Sequence, residues 1–384
     1  MERVSIEPRP DWQRIVNDQG LTYHMTGDVP YWDESAFYSF SATEIAALET
    51  ATYKINEMCL EAVEYVVTEN LWEQFQIPAP FVPLVKTSWE RDERTIYGRF
   101  DLAFDGERIK MLEYNADTPT GLIEAAVVQW HWFKDITGEN TALDQFNSIH
   151  ERLIEAWAAV KSDYLGDATM YFTSILDDDT GGEDFMTANY LRDTAAQAGL
   201  PTQFIAVGQI GYHPRRGFTD QQERPIRHLF KLYPWEWLVR ERFGRYIPST
   251  PTRWLEAPWK MVLSNKAILP ILYRLFPDSP YLLPADFAPL AGDYVQKPVL
   301  GREGANTRIV RDGETIAERG GMYDGPCIYQ EYFPLTDFGR GYPVIGSWMV
   351  NGWAAGIGIR EDDSRITGNE CRFLPHMFEA DPAV

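Results

Sequence analysis

The chain is poor in cysteine. Its three, Cys59, Cys327 and Cys371, are widely spaced and odd in number among 384 residues. With no CxxC and no disulfide framework, a reducing compartment is expected, and so a cytoplasmic protein. Long apolar runs are also missing: none approaches the ~18 residues of a membrane span, and the opening MERVSIEPRPDWQRIVNDQG lacks the apolar core of a signal peptide. Positive charge is scarce, with 35 Lys and Arg against 57 Asp and Glu, a net of −22. Phosphate contacts dominate nucleic-acid binding, so neither nucleic acid nor an anionic membrane is expected as a main partner, whereas a small polyamine would suit the charge. The six histidines (24, 131, 150, 213, 228, 376) show no HxxxH spacing, which argues against a zinc site. There is no GxSxG nucleophile elbow, no Walker A sequence, no internal repeat and no low-complexity tract.

What is present is a folded composition, 45% hydrophobic and 24% charged. The length suffices for one large domain or two to three ordinary ones. Aromatics are abundant, with 13 Trp, 20 Tyr and 20 Phe. They read first as core anchors and second as a carbohydrate-binding groove.

Along the chain, residues 1–40 read as irregular. Ser41-Ala-Thr-Glu44 has capping-box spacing, and Ile45, Leu48, Ile55, Met58, Ala62 and Val66 continue at helical intervals, so a helix is expected from Thr43 to Phe75. LIEAAVVQWHWFKD predicts a second helix, and Phe146, Ile149, Leu153, Trp157 and Val160 a third. MYFTSIL and TQFIAV read as strands flanking the helical FMTANYLRDTAAQAG, one βαβ-like unit over 169–230. Asp177-Asp178-Asp179 between them fits a solvated strand-end loop better than a metal site. HLFKLYPWEWLVRERFG reads as a buried connector into a helix, and Asn265 as a possible cap of the helix after it. In the last third strands dominate, with Asn351-Gly352 a hairpin signal between SWMV and WAAGIGI.

The stretch with chemistry in it is YGRFDLAFDGERIKMLEYNADTPTG, residues 97–121. Arg99 and Asp101 are two apart, as are Glu113 and Asn115, and alternate strand residues share a face. Even positions 96–104 are Ile, Gly, Phe, Leu and Phe, which leaves the odd face for function. Two carboxylates and an amide oxygen suit a hard cation, and the arginine suits anionic oxygens. Assembly depends on register. A two-residue turn at Asp105-Gly106 pairs 104 with 107 and separates Arg99 from Glu113; an odd loop pairs 99 with 113 and 101 with 111. The function predicts the odd register. Further on, GREGAN between two strands offers backbone N–H groups to phosphate, with Lys297 four residues before Gly301. Lys266 is a second isolated lysine in an apolar run. Lysines, an arginine and magnesium are what triphosphate chemistry needs.

These pieces, in this order, resemble the synthetase domain of the glutathionylspermidine synthase family, above all its stand-alone bacterial acid–amine ligases. The residues carrying the resemblance are RFD at 99–101, LEYNADTPTG at 112–121, KLYPWEW at 231–237, PWKMVLSNKAILP at 258–270, KPVLGREGAN at 297–306, GSWMVNGWAAGIGIRED at 346–362 and RFLPH at 372–376. The resemblance implies an α+β, glutathione-synthetase-like ATP-grasp fold, circularly permuted so that the metal set precedes the phosphate loop, with a small βαβ pre-ATP-grasp subdomain. One synthetase domain over 1–384 would divide at 1–165 (helices plus metal-binding hairpin), 166–230 (βαβ unit) and 231–384 (grasp lobes). The implied site has Asp101, Glu113 and Asn115 on magnesium and Arg99 on the transition state. Lys266, Lys297, Glu303, Gly304, Gln330, Glu331, Tyr332, Phe333 and Arg360, with Arg99 and Asp101, would hold ATP. Thr118 and Thr120 would contact the acid. Threonines stand there where serines are expected in the bifunctional members, which bears on the choice of acid, and no amidase activity is expected.

The reading that follows is an ATP-dependent acid–amine ligase using ATP and two magnesium ions. A peptide-like or glutathione-like carboxylate attacks the γ-phosphate, and a polyamine-like amine then displaces phosphate from the acyl phosphate. The rival reading is a non-catalytic ATP- or peptide-binding protein that keeps the fold.

Overall fold

The computed structural model describes residues 1–138, 142–176, 182–323 and 325–380. Two five-stranded antiparallel sheets face each other across a cleft. The first runs Arg372–Leu374, Trp353–Asp362, Tyr342–Val350, Tyr97–Phe104, Ile109–Asn115. The second runs Ala285–Asp286, Cys327–Glu331, Tyr294–Pro298, Thr307–Arg311, Glu314–Arg319. Beside them lies a four-stranded parallel sheet in the order Arg253–Leu255, His228–Leu232, Met170–Ser174, Thr202–Phe204. The outer strands of the N-terminal region pair with the chain's end, with Glu2–Ser5 against Ala36–Ser41 and the latter against His376–Glu379.

The long helix is Ala42–Thr68, seven residues shorter than expected at its C-terminal end. Its start follows the capping box, with Glu44 N–H donating to Ser41 Oγ at 3.2 Å and Ser41 N–H to Glu44 Oε2 at 2.9 Å. Its inner face buries Ile45, Leu48, Ile55, Cys59, Ala62, Val63 and Val66, so Cys59 is packing. Past Thr68 the apolar spacing persists without a helix, because Asn70 adopts positive φ and Leu71 N–H turns back to the Val66 carbonyl. The helix at 123–137 exists as a π-turn, Glu124–Val128, running into Gln129–Thr137. At Asn351-Gly352, φ is +48° and +81°, the two left-handed positions of a type I′ turn.

One expectation about layout needs correction. HLFKL is not a connector but the strand His228–Leu232, inside the parallel sheet; a strand buried on both faces shows no alternation to read. Strand pairing joins parts of the chain on either side of positions 165 and 230. The hairpin Tyr97–Asn115 shares a sheet with Tyr342–Asp362, and the parallel sheet extends to Leu255. Asn265 only partly caps: its Oδ1 accepts from Ala267 N–H at 2.9 Å while its Nδ2 donates to the Phe75 carbonyl. Asp177, Asp178 and Asp179 lie outside the described residues.

Candidate active site

The hairpin Tyr97–Phe104/Ile109–Asn115 solves its register in a way the turn alone does not reveal. The loop has four residues, 105–108, with Phe104 opposite Ile109. Asp105 closes it, its carboxylate accepting from the Glu107 and Arg108 N–H groups at 3.1 and 2.7 Å and from the Arg108 guanidinium. This even loop would place Arg99 and Glu113 on opposite faces. A β-bulge then inserts Leu112: Leu102 pairs with Met111, but Asp101 pairs with Glu113 and Arg99 with Asn115. The extra residue flips the parity, and the four polar side chains share one face. The expected pairs 99–113 and 101–111 are therefore wrong by two positions, while the shared face is right. The bulge has a second effect. It frees the Met111 and Leu112 carbonyls, which accept from Gln330 Nε2 at 3.0 Å and Lys297 Nζ at 2.9 Å. The hairpin is thereby tied to the opposite sheet.

The odd face is not open. Every residue of Tyr97–Phe104 is buried; Tyr97 stacks on Trp348, and Ala103 packs with Leu283 and Phe333. Between these ends lies a cavity of about 240 Å³. All fifteen residues singled out from the sequence line it: Arg99, Asp101, Glu113, Asn115, Thr118, Thr120, Lys266, Lys297, Glu303, Gly304, Gln330, Glu331, Tyr332, Phe333 and Arg360.

Inside, cations surround two acids. Arg99 Nε donates to Asp101 Oδ1 at 2.8 Å, and its Nη1 donates to the Thr120 carbonyl. Arg360 Nη2 donates to Asp101 Oδ2 at 2.6 Å, while its Nε is buried without a hydrogen-bond partner. Lys266 Nζ is 3.0 Å from Glu113 Oε2 and donates to the Gly301 carbonyl. Lys297 Nζ donates to Gln330 Oε1 at 2.8 Å. Burial would push the Glu113 carboxyl up, but Lys266 and Lys297 outweigh it and hold it well below the usual range. Burial, reinforced by Lys266 against the pull of Glu113, brings the Lys297 ammonium down to about 8. Burial opposes the Arg360 charge, yet Asp101 raises it above the ordinary value.

Asn115 Nδ2 donates to both Asp101 Oδ2 and Glu113 Oε1 at 3.1 Å, so the three side chains converge on one point. Turning that amide would present its oxygen beside the two carboxylates, an all-oxygen set suited to a hard cation. Among the described residues no group of three His, Cys, Asp or Glu is placed to hold a metal ion.

The GREGAN loop, expected to receive phosphate, is shaped by left-handed backbone at Glu303, Gly304 and Asn306. A Cβ at 304 would stand 2.7 Å from the Thr367 carbonyl oxygen, so both φ and contact demand glycine. Sequence reasoning missed Arg302 in this loop. Its guanidinium donates to Thr118 Oγ1 and, at 3.0 Å, to Glu236 Oε1. Asp117 and Lys231 were missed too. They form a fully buried pair, and Asp117 Oδ2 also accepts from Trp235 N–H at 2.9 Å. The only sequence signal for it was a lysine in the apolar run HLFKL. The wall also includes Asp184, Trp237, Arg365, Thr367 and Asn369.

Paired sheets clasping a lysine- and arginine-lined cavity are the architecture of an ATP-grasp protein. The fold is shared with a glutathione synthetase-like effector from Globodera pallida, with a TM-score of 0.54 and 10% identity over 97% of this chain and 99% of that one. The chain belongs to the glutathionylspermidine synthase family: the model described as "Glutathionylspermidine synthase preATP-grasp" matches residues 3–379. A Haemophilus influenzae protein provisionally named an acid–amine ligase is 40% identical over 98% of this chain and 100% of its own. Trypanothione synthetase of Crithidia fasciculata is 30% identical over 83% of this chain and 53% of its own. The bifunctional glutathionylspermidine synthetase/amidase of Escherichia coli is 26% identical over 93% and 61%. The chain thus spans the whole of the first relative but only part of the other two. No helix among the described residues is long and apolar enough to cross a membrane.

Proposed function

We propose that the protein is an ATP-dependent acid–amine ligase that forms an amide through an acyl phosphate. The observation carrying this is the charge of the cavity. Arg99, Arg360, Lys266 and Lys297 gather around the carboxylates of Asp101 and Glu113, and the whole lining, with Arg302 and Arg365 against Asp184, Glu303 and Glu331, comes to six basic and five acidic residues in a chain of net charge −22. An acidic protein that concentrates buried cations around one cavity is built for a polyanion, and a nucleoside triphosphate is the polyanion of this fold.

In this reading Lys266 and Lys297 hold phosphate oxygens, and the Gly301–Asn306 loop receives them on its backbone. Gln330, Glu331, Tyr332 and Phe333 line the nucleobase end, and Glu303 and Gly304 the phosphate end. Asp101, Glu113 and Asn115 would hold magnesium, two ions in all, which when bound neutralises phosphoryl charge. Arg99 and Arg360 would then give up Asp101 in part and turn N–H groups toward the transferring phosphoryl oxygens; removing one such donor costs about 10²–10³ in rate. Thr118, with Arg302 beside it, and Thr120 face the acid. The acid's carboxylate attacks the γ-phosphoryl group and displaces ADP; the amine then attacks the acyl carbon and loses a proton as phosphate is expelled. A peptide-like acid and a polyamine-like amine are the substrate classes, the latter suiting the chain's negative charge. Three unpaired cysteines support a cytoplasmic location.

The test is an ADP-release screen over peptides and polyamines, with mass detection of the amide. ADP formation that requires both an acid and an amine supports the ligase. Tight ATP binding with no turnover for any pair would instead favour a non-catalytic nucleotide-binding protein.

A further inference from the structure

Glu361 is fully buried, on the strand residue next to Arg360. Its carboxylate accepts from Arg3 Nε at 2.7 Å and Nη2 at 3.2 Å, from the Tyr38 hydroxyl at 2.5 Å and from Arg372 Nη2 at 3.0 Å. Burial alone would raise this carboxyl; the bonds from Arg3 and Tyr38 outweigh it and lower it. Arg3 and Tyr38 belong to the N-terminal sheet, not to the sheet that carries the cavity residues. They grip the back of the strand Trp353–Asp362, whose front presents Arg360 to Asp101.

The same place roots a cavity loop. Asp362 accepts from Ser364 N–H at 2.8 Å and Gly368 N–H at 2.9 Å, closing the segment 363–368 on itself. Arg372 donates to Asp363 at 2.7 Å and to the Arg340 carbonyl. That loop supplies Arg365, Ile366 and Thr367 to the cavity wall, and Asn369 donates to Glu303 of the phosphate loop. A strand end that opens into a loop frays unless its last residues are held from outside. Charge-assisted bonds to a buried carboxylate hold it firmly.

We infer that Glu361 is a positioning residue for nucleotide binding, and that the N-terminal strand acts through it. Arg3 and Tyr38 fix Glu361, Glu361 fixes the end of its strand, and that end sets Arg360 and the root of loop 363–370. This rests on the cavity being an ATP site.

The variants are Glu361→Gln, Arg3→Gln, Tyr38→Phe and Arg3→Lys. Arg9→Gln is the control, since it breaks another buried N-terminal ion pair, Arg9–Glu34, that touches none of these groups. Binding is read with a fluorescent trinitrophenyl-ATP probe displaced by ATP, alongside KM for ATP and for the acid. Glu361→Gln and Arg3→Gln are expected to weaken ATP about tenfold and leave KM for the acid unchanged, Tyr38→Phe to weaken it less, and Arg3→Lys, which keeps the positive charge, to lose less than Arg3→Gln. Unchanged ATP affinity in both, or an equal loss in Arg9→Gln, overturns the inference. A wild-type protein that does not bind ATP instead sinks the reading of the cavity itself.

Discussion

Replacing Lys231 by Met should separate the parts of the site that a mere stability effect cannot. Lys231 is 0% exposed and Asp117 1% at the side chain. Asp117 has two supports, the Lys231 ammonium on Oδ1 and the Trp235 N–H on Oδ2 at 2.9 Å. Lys231 also lies 4.6 Å from the Trp235 ring centroid. Methionine keeps the apolar stem and the contact with the ring, so little cavity is created. What it leaves is a buried carboxylate with one neutral donor, and breaking a buried pair on one side costs about 3–5 kcal/mol. Asp117→Asn in the same chain removes the orphaned charge and should recover most of that loss, so the double variant is expected to be more stable than Lys231→Met alone. Urea unfolding reads both. Asp117 also begins the turn that carries Thr118 and Thr120, so Lys231→Met should raise KM for the acid well above any change in KM for ATP. A Lys231→Met chain with wild-type unfolding midpoint and wild-type KM would refute the argument, as would a double variant less stable than the single one.

Three further outcomes are expected. Asp101→Asn keeps the shape but halves the local negative charge, and magnesium-dependent ADP release should fall by at least about 10² while far-UV circular dichroism stays the same; full ATP consumption would disprove the site assignment. Deleting Leu112 removes the bulge residue and leaves Glu113 opposite Asp101 and Asn115 opposite Arg99, but it takes away the carbonyl that holds Lys297 Nζ, so nucleotide binding should weaken while the hairpin survives; a probe titration measures it, and unchanged binding would refute the role of the bulge. Finally, His376 is fully buried, with Nδ1 against Gln129 Oε1 at 2.9 Å, and burial brings it down to about 3. Below its unfolded value of about 6.5 the unfolded chain takes a proton that the folded chain refuses, so stability falls as pH drops toward 3; at pH 5 the loss is about 2 kcal/mol. His376→Gln should flatten that part of the urea-midpoint profile, and a slope identical to wild type would exclude His376 as its source.

Why some of the site was legible and some was not comes down to where each side chain's partner lies. Arg99, Asp101, Glu113 and Asn115 could be read because their spacing is local and strand geometry converts it into a shared face. The register could not, because parity was settled by Leu112. A bulge there leaves the Met111 and Leu112 carbonyls to Gln330 and Lys297, more than 180 residues away. Lys231 was misread for a related reason: a central parallel strand is covered on both faces, so HLFKL shows no alternation. Its lysine has meaning only beside Asp117, 114 residues earlier. Arg302 sat in plain view in GREGAN but was hidden by the glycines around it, since a phosphate loop is read for its backbone and not its side chains. The helix ending at Thr68 instead of Phe75 is the reverse case, where the apolar period runs past the point at which Asn70 turns the backbone. Chemistry written within one strand or one loop is visible in the sequence. Chemistry made by one sheet closing on another appears only when both are in place, and in this protein the Asp117–Lys231 pair and the bonds of Arg3 and Tyr38 to Glu361 belong to that second kind.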